Sequence, residues 1–125
     1  MTELVNSGGL RIKFDPKSDS AVTDHDEAGQ PQTCVYGILK TPQKIGGTVD
    51  AFLSLIGLKA KFVHFNRPNG TSVWINVDAV DSLIQSNPAD HPGSHAVINA
   101  GDLSQAVRET IDAAATALNA HGGKF

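Results

Sequence analysis

Three groups of residues in this chain have types and spacing suited to chemistry. Asp90, His91 and His95 lie in one short stretch, and two imidazoles with a carboxylate make a zinc set one ligand short of tetrahedral closure. Asp90 and His91 lie in the segment Asn87 to Ser94, immediately before His95, and this segment also holds Pro88, Pro92 and Gly93. It reads as a turn-rich loop rather than the rigid, hydrogen-bonded support that metal ligands use, so no metal role is expected there. Asp24, His25, Asp26 and Glu27 form an acidic cluster without the glycine and bidentate glutamate spacing of a calcium loop, which predicts solvated surface. Cys34 has no imidazole near it in sequence and stands beside Val35 and Tyr36, so it is expected to act as a small apolar side chain on a strand. Gly8-Gly9 and Gly46-Gly47 match no phosphate-cradling pattern. No cofactor and no catalytic residue is therefore assigned, and the balance falls against an enzyme.

The stretch most informative about function is Lys61 to Val77, KFVHFNRPNGTSVWINV, two runs of β-branched and aromatic residues joined by Pro68, Asn69 and Gly70. A two-residue Asn69-Gly70 turn would leave both faces half polar. A type I turn at Pro68-Asn69 with Gly70 left-handed instead sets Arg67 opposite Thr71, Phe65 opposite Val73 and Val63 opposite Ile75. One face then carries Val63, Phe65, Val73, Ile75 and Val77. The other carries Phe62, His64, Asn66, Ser72, Trp74 and Asn76, too apolar for plain surface and too polar for plain core. Tryptophan within a polar rim is the composition of a protein contact. Phe62, His64, Asn66, Arg67, Trp74 and Asn76 are the candidate binding residues, with cover by another part of the same chain as the competing reading.

The flanking elements must position this hairpin. Leu10 to Phe14 alternates like a half-buried strand, and Lys17 to Gln32 is polar and is expected to be a surface loop. Thr33 to Leu39 predicts a buried strand. Thr48 stands where an N-cap belongs, ahead of Val49, Phe52, Leu53 and Ile56 at helical spacing, with Gly57 as the stop. After the hairpin, strands are expected over Asp78–Gln85, His95–Asn99 and Leu103–Arg108. Thr110 then opens TIDAAATAL, whose Ile111, Ala114, Ala115 and Leu118 repeat the earlier apolar stripe at an offset of 62 residues. This pattern predicts two related units, 10–57 and 61–122, each of strands closed by a capped helix.

The 125 residues, 40% of them hydrophobic and 18% charged, describe one globular domain, 1–125. A net charge of -3 supplies no basic field and argues against nucleic acid or an anionic membrane as partner. One cysteine and the absence of a leader after Met1 predict a cytoplasmic protein. The fold class expected is α+β: an antiparallel sheet of five to seven strands with two short helices.

Arg67, Gly70, Ile75, Asn76, Val80, Val97, Gly101, Val107, Glu109 and Thr110 follow the order of turn, strand and cap residues in a known family. In this respect the second half resembles the small bacterial FlbD-type flagellar regulators. The resemblance implies a non-catalytic regulatory or assembly module; the first unit, Trp74 and the loop from Asn87 to Ser94 depart from the family pattern. The expected function is thus a protein-binding, regulatory or assembly module that self-associates or meets a protein partner. The alternative is a metal-dependent enzyme or small-molecule binder using His64, His91 or His95. Nucleic-acid binding, with Lys40, Lys44, Lys59, Lys61 and Arg67 near stacking aromatics, stands third.

Overall fold

The structure is a computed structural model that describes residues 2–6, 8–14, 19–27, 30–37, 42–87, 89, 92–101 and 103–125. The first half runs through β1 (Thr2–Val5), β2 (Arg11–Phe14), β3 (Ala21–Glu27), β4 (Gln30–Tyr36), β5 (Gln43–Gly46) and α1 (Val49–Ile56). The second runs through β6 (Phe62–Asn66), β7 (Ser72–Asn76), β8 (Val80–Gln85), β9 (Ala96–Ala100), β10 (Leu103–Val107) and α2 (Ile111–Asn119). The class is α+β with wholly antiparallel pairing. A five-stranded sheet has the order β5-β4-β3-β7-β6, and a three-stranded sheet (β10-β9-β8) and the two-stranded β1-β2 accompany it.

The central hairpin has the register that sorts its faces. Phe65 pairs with Val73 and Val63 with Ile75. The Arg67 N–H donates to the Thr71 carbonyl at 2.8 Å, and Gly70, at φ 88°, donates to the Arg67 carbonyl at 2.9 Å. A side chain there would be strained, so glycine closes the turn.

Because alternate residues of a strand face opposite ways, the five-stranded sheet serves two cores. Ala21, Val63, Phe65, Val73 and Ile75 face the first, which is completed by Ala96, Ile98 and Val107 of the three-stranded sheet and by Ala114 and Leu118 of α2. Val22, Val35, Ile45 and Phe62 face the second, under Val49, Phe52, Leu53 and Ile56 of α1, with Ile12 of β2 joining them. Both helices start at their threonines: the Thr48 hydroxyl accepts from Ala51 N and the Thr110 hydroxyl from Ala113 N. Gly57, at φ 73°, ends α1 in the left-handed conformation.

The surface loop expected from Lys17 to Gln32 is corrected by β3 and β4, which occupy Ala21–Glu27 and Gln30–Tyr36. Asp24 to Glu27 have little strand propensity, but each of them finds a rung on β4, and Ala21 to Thr23 are also paired on the other side by β7. Pairing partners far along the chain override local propensity here. β1 and β5 also escape sequence reading, being four residues each and set by their neighbours.

Candidate functional site

A cleft of about 310 Å³ opens between the hairpin β6–β7 and α1, lined by Val49, Asp50, Leu53, Lys59, Phe62, His64, Trp74 and His121. α1 supplies Val49 and Leu53 from its apolar stripe and Asp50 from its first turn, where a carboxylate meets the positive end of the helix dipole. Lys59 Nζ reaches Asp50 Oδ1 at 2.5 Å across the rim, and with both side chains mostly exposed this pair is screened by solvent. Rung pairing brings His64 beside Trp74, their rings edge to face with centroids 5.2 Å apart. His121, just beyond α2, donates its Nδ1 proton to the Ala60 carbonyl at 2.9 Å. A carbonyl only accepts, so the Nδ1 of His121 carries a proton, and Nε2 is the nitrogen that is free of this bond.

The six residues singled out from the sequence divide into two groups. Phe62 is buried in the second core, and Asn76 is buried with its Nδ2 donating to the Asp19 carbonyl at 2.9 Å and its Oδ1 accepting from Asp78 N. Both are covered by the chain itself. Trp74 is half-buried against the second core, while His64 and Asn66 are exposed. Asn66 is held by Glu109, whose carboxylate accepts from both its backbone N–H and its Nδ2. Arg67 Nε donates to Thr71 Oγ1 at 2.7 Å and braces the turn. What an incoming molecule meets is therefore His64 with the outer edge of Trp74.

His64 Nε2 lies 2.8 Å from Ser72 Oγ, the geometry of a hydroxyl beside a base. Among the described residues nothing bonds the other ring nitrogen to set the tautomer, and the pair lies open on the strand surface. Asp90 and His91 lie outside the described residues. His95 is exposed, with Nδ1 donating to the Arg108 carbonyl at 2.9 Å. Among the described residues no three His, Cys, Asp or Glu side chains converge as a metal set.

Sequence reading missed His121, which reaches the cleft only because α2 returns beside Ala60, and it missed Asp19. That carboxyl is wholly buried, and neither oxygen has a well-formed hydrogen-bond partner among the described residues. Burial pushes it up to about 8, with the Ala21 backbone N–H pulling weakly the other way. Tyr36 is also raised, first by burial and then by its contact with Cys34. No helix among the described residues is long and apolar enough to cross a membrane.

Comparison with protein-family models, with curated proteins and with solved structures finds no significant match to this chain.

Proposed function

We propose that this chain is a small non-catalytic assembly module that associates with copies of itself through open strand edges, with His64 and Trp74 at the rim of the contact surface. The observation that carries this reading is the placing of exposed apolar side chains on or beside strands that, among the described residues, are paired on one side only. Leu10 is 66% exposed and Val5 56% at the β1–β2 hairpin, and Ile84 is 54% exposed on β8, an outer strand of its sheet. Open edges carrying large apolar side chains are templates for pairing with another chain. The resemblance of the second half to FlbD-type regulators points the same way, and a single unpaired thiol, Cys34, suits the reducing cytoplasm. Light scattering over a dilution series tests the proposal: a mass above that of one chain, falling on dilution, is expected. A single-chain mass at every concentration overturns it.

The cleft favours a second reading, a small-molecule site, because its volume is near the lower end for such pockets and His64 and His121 both line it. Trp74, the chain's one tryptophan, reports occupancy directly. A saturable change in its fluorescence with a small ligand, abolished in His121→Ala, would favour this reading over assembly.

A further inference from the structure

Both halves of the chain run in the same order: a hairpin, a three-strand meander and a threonine-capped helix. The halves are joined where the first strand of the first meander, β3, pairs with the second strand of the second hairpin, β7. The corresponding pair in the other direction is β8, the first strand of the second meander, and β2, the second strand of the first hairpin. Among the described residues β8 pairs only with β9 and β2 only with β1, so each keeps an open edge. One chain cannot bring the two together. Ile12 of β2 packs in the second core, on one face of the five-stranded sheet, whereas β9 and β10, which share a sheet with β8, pack in the first core on the opposite face.

From this placement we infer that the open edge of β8 receives the β2 edge of a second copy of this chain, reproducing between molecules the β3–β7 seam found within one. The inference rests on the assembly reading and names its partner. The register follows from core-facing residues. Ile12 and Ile75 each point into the core of their own half, and Val22 and Leu83 stand opposite the buried Val35 and Ile98 of the middle strands. The rungs Ala21–Ile75, Val22–Trp74 and Thr23–Val73 then become Ser82–Ile12, Leu83–Arg11 and Ile84–Leu10 across the contact. In this register the two exposed apolar residues Ile84 and Leu10 cover one another. Within the chain the residues at the same places, Thr23 and Val73, are already buried. Directly opposite residues of an antiparallel pair bring their Cβ atoms within roughly 4.5 to 5.5 Å, close enough to exclude water between two branched side chains. The two edges are different surfaces, so the contact is head to tail and builds a ring where the rotation closes or a filament where it does not.

Cysteine pairing reads the register. In a Cys34→Ala background, Leu10→Cys and Ile84→Cys are made on separate chains and mixed with oxidised glutathione. A disulfide-linked dimer in the mixture, at least several-fold above either variant alone and above Leu10→Cys mixed with Gln85→Cys, is expected. An equal yield in the single variants, or no dimer in the mixture, overturns the pairing. Light scattering on the parent chain separates the two ways of failing. An oligomer without the Leu10–Ile84 cross-link removes this seam and leaves the assembly reading standing, whereas a single-chain mass removes both. A second pair of variants reads the same rung without oxidation: Leu10→Glu and Ile84→Lys should each dissociate the assembly, and mixing the two should restore it. Failure of the mixture to reassociate counts against the pairing.

Discussion

The hairpins β1–β2 and β6–β7 each open one half of the chain, and their surroundings differ sharply. The β6–β7 hairpin is built into the five-stranded sheet, touches both cores and has its turn held by the Arg108 side chain on the Pro68 carbonyl. The β1–β2 hairpin stands as its own two-stranded sheet, places Ile12 in a core, and leaves Val5 and Leu10 in solvent. An isolated two-stranded ribbon has little stability of its own, so the first hairpin depends on what it packs against. The difference shows that a strand pattern alone does not decide whether an edge is sealed; the neighbour that covers it does.

The largest contrast is expected in the cores. Phe65→Ala removes a fully buried ring from the first core and should cost about 3 to 5 kcal/mol in denaturant unfolding, whereas Leu10→Ala on the open hairpin should stay within about 0.5 kcal/mol for the dissociated chain. Equal costs would erase the distinction between the hairpins.

The next effect lies at the seam that seals β6–β7. Asn76 bonds the carbonyls of Asp19 and Ser20 there, beside the buried Asp19 carboxyl. Because Asp19 has a folded pKa of about 8 against 3.8 for the free side chain, the folded chain holds a proton that the unfolded chain releases between those values. Its contribution to stability is therefore fully present below about 3.8 and is lost progressively as pH rises to about 8. Asp19→Asn should flatten that decline, matching the parent in acid and exceeding it above pH 8 by an amount on the order of a few kcal/mol. A parent whose stability rises from pH 4 to 8 with no change in the variant would mean the carboxyl is ionised and solvated.

The smallest effect is one where the two halves should agree. Thr48→Ala and Thr110→Ala each remove a hydroxyl that accepts a first-turn N–H, at 3.2 Å and 3.1 Å, and each should cost about 0.5 to 2 kcal/mol. Costs that differ by more than this range would make the halves unequal at the one feature they share most closely.

Local chemistry by itself determined the turn at Pro68 to Gly70, the register that follows from it, the threonine caps and the apolar stripes of both helices. Each of these depends on residues within a few positions of one another, so spacing and residue type were sufficient. The tertiary structure decided the rest. β3 carries the run Asp24 to Glu27, which has no strand signature, and it exists because β4 lies along its whole length and β7 along its inner end. The face bearing Phe62 and Trp74 had the mixed composition of an interface, and α1, returning from earlier in the chain, buries Phe62 and half of Trp74 while leaving His64 outside. Asp19, expected in a polar surface loop, and Asn76, expected on a binding face, became buried only when the lead into β3 met the end of β7. Contacts between residues distant in sequence have no local pattern to announce them, because the side chains that make them are chosen by the space that packing leaves.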